Sequence, residues 1–302
     1  MSEKILELVD VTKIYGKDAV LDHINLTIFK GDIYGLIGRN GAGKTTLIKI
    51  ITDLTRKTSG EIFLLSNRTY IKNLERVGAI IESPVAYVNL SAYENLKILC
   101  KQKGIQDFSV IEEALAFVNL SHTGKKKFKH FSLGMKQRLG LAMALLNNPD
   151  FLILDEPING LDPIAIIEFR EILERINREK STTILISSHI LNELYHVSNR
   201  FGFIHEGKMI EEITKQELDE KCSSTILIET AQTKELSVLL EKLQIQFKVI
   251  NDKQVQLRNN EITVADLNQH FYESGIRIDE IRRNDENLED YYTNLLLKVG
   301  EK

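Results

Sequence analysis

Residues 38–46, GRNGAGKTT, set Gly38, Gly43, Lys44 and Thr45 at the spacing G-x-x-x-x-G-K-[ST]. Glycines let a loop wrap closely enough for backbone N–H groups to face phosphate oxygens, and a helix starting where the loop ends adds its positive N-terminal end. In that arrangement Lys44 brings a point charge to the β- and γ-phosphates and Thr45 a hydroxyl to Mg²⁺. At average residue usage the pattern arises by chance in roughly one chain in a hundred of this length, so an ordinary glycine-rich turn is the weaker reading. The stretch FLILDEP supplies a complement. Asp155 ends a short apolar run and can reach the metal's coordination sphere; Glu156, the next residue, can polarise a water. A carboxylate that orients the water's proton is worth about 10²- to 10⁴-fold in rate. The chemistry predicted is ATP hydrolysis, with binding retained when Glu156 is lost.

Four further features each carry two readings. His189 follows ILISS at a helix start, where it is either structural or placed where a sheet edge meets a γ-phosphate. Asp162 is an N-cap, which does not preclude a second task. Tyr15 either stacks on adenine or fills core; alone, core is the stronger reading. In FSLGMKQRLGLAMALL, residues 131–146, Ser132 either caps a helix whose apolar run is core, or presents with Gly134 a helix N-terminus to a phosphate.

The elements that must hold these residues alternate in type. Residues 4–9 and 21–29 read as strands with Gly16 between them, and IYGLI (33–37) as a strand before the glycine-rich loop and a helix. From Glu82 to Pro149 the pattern becomes three helices, two with capping boxes, Ser91/Glu94 and Ser109/Glu112. Strands return with FLILD (151–155), continuous and apolar as in a sheet buried on both faces, and with TTILISSH. Between them Asp162 and Pro163 open a helix that runs to about Lys180. The class is α/β with an all-helical insertion. From about residue 213 the order is strand, helix, two strands, helix, strand and a final helix, a small α+β module of ferredoxin-like order.

Composition narrows the setting. The 302 residues carry 39 basic and 43 acidic side chains, a net charge of −4, so no overall field draws the chain to nucleic acid or acidic lipid. The run Lys125–Lys129 is the local exception and reads as a solvated loop. Cys100 and Cys222 match no metal or redox spacing, which suits a reducing cytosol. The charged N-terminus predicts no secretory signal, and no apolar run approaches the roughly 18 residues of a membrane span. A role at a membrane would need spans from another chain.

Taken together, the set resembles the nucleotide-binding subunit of an ABC transporter over about residues 4–212. The resemblance implies a P-loop NTPase fold: a RecA-like core, an antiparallel β subdomain and a helical subdomain at about 83–149, in an ATPase domain 1–212 followed by an accessory α+β domain 213–302. Tyr15 is similar to the aromatic that stacks on adenine. Gly38, Arg39, Asn40, Gly41, Ala42, Gly43, Lys44, Thr45 and Thr46 resemble the Walker A loop, Asp155 the Walker B aspartate and Glu156 the catalytic glutamate. Asn159–Asp162 is similar to the D-loop, and His189 to the switch histidine that contacts the γ-phosphate. Two places depart from the pattern. Glu82 stands where the family usually has the glutamine that touches Mg²⁺ and the permease; a carboxylate there can ligand the metal more strongly but adds negative charge near the phosphates, which predicts an altered Mg²⁺ dependence. The signature Leu-Ser-Gly-Gly-Gln is here Phe131, Ser132, Leu133, Gly134 and Met135, so Ser132 and Gly134 remain.

The segments IIESP, NLSAYENL and NLEDYYTNLL look like the branch of bacitracin-resistance and lantibiotic-immunity ATPases. The resemblance implies ATP and Mg²⁺, a head-to-tail homodimer or heterodimer with Ser132 and Gly134 facing the partner's nucleotide, an integral membrane permease, and export of a peptide antibiotic. The chain would be cytoplasmic, peripheral at the inner face of the cell membrane, with no nucleic-acid partner. A soluble ABC ATPase acting on ribosomes or nucleic acid is the alternative; such proteins usually join two cassettes or carry long coiled-coil insertions, and this sequence has neither. A P-loop kinase or GTPase would leave Ser132 and His189 unexplained, and a guanine-reading Asn-Lys-x-Asp segment is missing after Asp155.

Overall fold

Alternating apolar residues start the first strand, and the ladder runs further than the alternation. In the computed structural model, which describes residues 3–65, 70–222, 225–258, 263–284 and 288–300, β1 (Lys4–Tyr15) and β2 (Asp18–Phe29) form an antiparallel hairpin turning at Gly16. Both strands exceed the sequence reading because Asp10 and His23 adopt left-handed backbone (φ 50° and 51°). The register shifts there, breaking the two-residue period without ending the pairing.

β3 (Ile33–Ile37) is wholly buried and leads through the glycine-rich loop into α1 (Lys44–Ile51). β4 (Ser59–Leu64) joins β1 to complete a three-stranded antiparallel sheet in the order β2-β1-β4. β5 (Val77–Ile80) precedes the helical insertion of α2 (Ala92–Gln102), α3 (Ser109–Phe117) and α4 (Leu133–Leu145). The capping box of Ser91 and Glu94 forms as read. That of Ser109 does not: Ser109 is the first helical residue, and its N–H is bonded by the Asp107 carboxylate at 2.9 Å. An acidic residue two positions upstream thus takes up that N–H instead.

β6 (Phe151–Asp155), α5 (Pro163–Lys180), β7 (Thr183–Ser188), α6 (Leu191–Tyr195), β8 (Arg200–His205) and β9 (Lys208–Thr214) complete the first unit, Met1–Lys215. Its main sheet has six strands in the order β5-β6-β7-β3-β8-β9, parallel except for β9. Every residue of β3, β6 and β7 is buried, as continuous apolar runs covered on both faces require. Burying each such Leu or Ile is worth about 1.5–3 kcal/mol over leaving it exposed. Strands β4, β5, β8 and β9 escaped the sequence reading.

α7 (Lys215–Lys221) leads into the second unit, Gln216–Lys302. There β10 (Thr225–Glu229), α8 (Thr233–Lys242), β11 (Phe247–Asn251), β12 (Gln254–Arg258), α9 (Val264–Glu273) and β13 (Glu280–Asn284) give β-α-β-β-α-β, and α10 (Leu288–Gly300) follows. All pairs are antiparallel and the sheet order is β11-β12-β10-β13, the ferredoxin-like arrangement. Ile226, Ile228, Val255 and Leu257 point inward on alternate positions against Leu236, Leu240, Leu267 and Phe271, so this unit has a core of its own. Asn287, the first residue of NLEDYYTNLL, lies outside the described residues.

Candidate nucleotide site

β6, β7 and β3 are neighbours running in one direction, so their C-terminal ends open at the same sheet edge. Open α/β sheets bind ligands at that edge. After β3 the chain turns sharply: Gly38 N–H donates to Ser188 O at 3.3 Å, and a Cβ at Gly38 would strike the Ile204 carbonyl. Gly43 has φ 106°, a backbone only glycine takes readily, and a Cβ there would come to 2.7 Å from Leu21. Arg39, Asn40 and Gly41 are exposed and Ala42 is buried; Thr45 and Thr46, half-buried, lie in the first turn of α1. No acidic residue occupies that turn, so the N–H groups and positive helix end are open to an anion.

The charged groups converge on the loop. Lys44, 5% exposed, donates to the carbonyls of Gly38 at 2.6 Å and Arg39 at 3.3 Å. Its Nζ also lies 3.0 Å from Glu156 Oε1, a charge contact outside hydrogen-bonding geometry. Glu156 Oε2 meets His189 Nδ1 at 2.8 Å, so an ionised Glu156 selects the tautomer with the proton on Nδ1. Asp155 is 1% exposed; its Oδ2 accepts from the Thr45 hydroxyl at 2.8 Å and its Oδ1 from the Ser187 hydroxyl at 2.7 Å. Ser187 also accepts the Glu156 N–H at 2.9 Å. Glu156 itself sits in left-handed backbone, φ 49°.

The remaining sequence-derived residues lie around this centre. Tyr15 is half exposed, with Lys13 Nζ 4.4 Å above its ring, which corrects the core reading. Glu82 is exposed and pairs with Lys49 Nζ at 2.7 Å. That hydrogen bond holds the Glu82 carboxyl below its usual range and raises Lys49, which the Asp155 charge raises further. Ser132 is exposed and caps α4 through the Met135 N–H at 3.3 Å. Gly134, in contrast, is buried: a Cβ there would come to 3.1 Å from Ala165 Cβ, so its bareness serves the contact of α4 with α5. Asp162 caps α5 through the Ala165 N–H at 2.9 Å, with Pro163 at the first helical position, as read. Ser187 and Lys49 were not singled out in the sequence; each meets its partner through strand or helix placement, across 32 and 33 residues.

Thr45 and Asp155 form a hard-oxygen pair suited to Mg²⁺, which takes one or two carboxylates and fills its other positions with phosphate and water. Among the described residues no group of three His, Cys, Asp or Glu side chains could hold a metal alone. The donor set therefore fits an ion that arrives with phosphates.

The profile of the ABC transporter family matches residues 21–159. The bacitracin transport ATP-binding protein BcrA of Bacillus licheniformis is 42% identical over 97% of this chain and 97% of its own. The chain belongs to the ATP-binding proteins of ABC transporters. Within that family the lantibiotic transport ATP-binding protein SrtF of Streptococcus pyogenes is 47% identical over 74% of this chain and 99% of its own length. The ATP-binding cassette MJ0796, a dimer in a post-hydrolysis state bound to ADP and Pi, superposes with a TM-score of 0.63 at 25% identity, covering 70% of this chain and 98% of that one. Among the described residues no helix is long and apolar enough to cross a membrane.

Proposed function

We propose that the chain hydrolyses ATP in a head-to-tail dimer, homodimeric or heterodimeric, to drive a separate integral membrane permease that exports a peptide antibiotic of the bacitracin or lantibiotic kind. The observation that carries this reading is the convergence of Lys44, Thr45, Asp155 and Glu156 at the mouth of the loop. The β- and γ-phosphates would draw Lys44 away from Glu156 and settle on the N–H groups of the loop and α1. Mg²⁺, held by Thr45 and Asp155, would neutralise developing phosphate charge. Glu156 then accepts the proton of a water attacking the γ-phosphorus as the bond to the ADP oxygen breaks. His189 steadies Glu156 through Nδ1–H and, with both ring nitrogens protonated, donates its Nε2–H to the γ-phosphate. Tyr15 stacks its free face on adenine, and Ser132 with the N-terminus of α4, which Gly134 seats against α5, closes the site from the second subunit. Asp162 holds the D-loop end of α5 at that interface.

The permease reading is supported by an apolar groove beside Glu82. A cavity of about 490 Å³ lined by Ile81, Pro84, Leu99 and Met143 adjoins one of about 410 Å³ lined by Tyr87, Asn95 and Ile98. Val85, lining both, is 85% exposed and Tyr87 57%, a patch that marks an interaction surface. Such a groove would seat the permease at the inner membrane face, and the antibiotic cargo rests on the names of two relatives, bacitracin transport for BcrA, matched over 97% of both chains, and lantibiotic transport for SrtF, matched over 74% of this chain.

Glu156→Gln tests the core of this reading. The variant is expected to lose about 10²- to 10⁴-fold in phosphate release, to keep ATP binding, and to become a dimer by light scattering at saturating ATP and Mg²⁺. A monomer under those conditions contradicts the sandwich. Deletion in the host is expected to lower resistance to bacitracin or a lantibiotic; unchanged resistance to both contradicts the cargo.

A further inference from the structure

Ser187 is fully buried near the end of β7, directly opposite Asp155 in the parallel register of β6 and β7. Leu185 and Ile186 before it are apolar and equally buried, so packing alone calls for no hydroxyl. The Ser187 hydroxyl donates its one proton to Asp155 Oδ1 at 2.7 Å and accepts the Glu156 N–H at 2.9 Å. A hydroxyl with its proton committed and a lone pair occupied has no rotational freedom left.

We propose that Ser187 is a positioning residue that locks Asp155 and Glu156 into one unit. By holding Oδ1 it leaves Oδ2, bonded to Thr45 at 2.8 Å, as the oxygen turned toward the metal and nucleotide. By binding the Glu156 N–H it fixes the left-handed backbone at φ 49°, which a non-glycine residue adopts only when its surroundings hold it. From that backbone the Glu156 carboxylate reaches both Lys44 at 3.0 Å and His189 at 2.8 Å. Without the hydroxyl, Asp155 Oδ1 and the Glu156 N–H are buried without partners. The carboxylate then turns off Thr45 to regain a donor, and Glu156 loses its aim. The inference rests on the reading of this site as an ATP site.

Ser187→Thr and Ser187→Val differ from one another only by hydroxyl against methyl, so the pair separates the hydrogen bonds from shape. Binding of a fluorescent ATP analogue is measured with Mg²⁺ and with EDTA, alongside kcat and KM for ATP. Ser187→Val is expected to lose about tenfold or more in affinity with Mg²⁺, the size of a hydrogen bond to a charged group, to bind in EDTA as wild type does, and to lose kcat at saturating ATP. Ser187→Thr is expected to keep all three. A purely structural serine would shift both binding curves together. Wild-type behaviour of Ser187→Val, equal losses in Val and Thr, or an equal loss with and without Mg²⁺ overturns the proposal. Failure of the wild-type protein to bind nucleotide at all would instead overturn the site reading beneath it.

Discussion

At the scale of single residues, one carboxylate holds the loop lysine and the histidine together. Glu156 is shared between Lys44 and His189, so in the proposed mechanism a nucleotide must break a largely buried ion pair before Glu156 acts on water. Removing one partner of such a pair strands the other charge, which is why Glu156→Gln is expected to tighten rather than abolish the phosphate site. Glu82 makes a second residue-scale prediction. Its carboxylate pairs with Lys49 and on the proposed reading exchanges that partner for Mg²⁺ when nucleotide binds, so Glu82→Gln is expected to shift the Mg²⁺ optimum of the ATPase; an unchanged titration leaves Glu82 with its ion pair and no metal role. The loop, Asp155 and Glu156 were legible because their chemistry depends on spacing within a few residues. Ser187 and Lys49 were not, because strand register and helix placement, which no local pattern encodes, bring them to Asp155 and Glu82.

At the scale of elements, the site depends on turns that admit no side chain and helices that start on cue. Gly43→Ala would force a methyl onto Leu21 and a β-carbon into φ 106°. The expected cost is about 1–3 kcal/mol of stability, with loss of ATP binding, read by thermal melting and titration. Asp162→Ala removes the α5 cap, an expected loss of about 1 kcal/mol by denaturant unfolding. The start of α2 carries a pH dependence. The Ser91 N–H and side chain, then Lys127, pull the Glu94 carboxyl down to about 2. Because the folded value is depressed, this contribution is full above the ordinary glutamate range and lost as pH falls toward 2. Ser91→Ala keeps the backbone N–H and removes the side chain, so it should move the Glu94 titration part of the way back toward the ordinary range, as followed by side-chain NMR; an unmoved titration leaves the N–H and Lys127 as the whole cause. The α2 start, with the Ser91/Glu94 box, was legible in the sequence, and the Thr263/Asp266 box of α9 was missed. The α3 start was misread because Asp107 competed with Ser109 for the same backbone, and the first hairpin because bulges interrupt its alternation.

At the scale of the whole molecule, each of the two units carries its own buried core. A protein ending at Cys222 is therefore expected to fold and bind ATP. A soluble truncation with an altered ATPase rate would make the second unit a regulator, and loss of solubility alone would make it a cover. In the proposed head-to-tail dimer two subunits share each ATP. Neither Ser132→Arg protein, with the α4 N-terminus blocked, nor Lys44→Ala protein, with the loop disabled, should hydrolyse ATP by itself. In a mixed dimer the Lys44 loop of one and the Ser132 cap of the other form one intact site. Random pairing is thus expected to restore about a quarter of wild-type sites. Phosphate release from the mixture tests this most directly: partial recovery is the expected result, and no recovery despite confirmed heterodimers would contradict it.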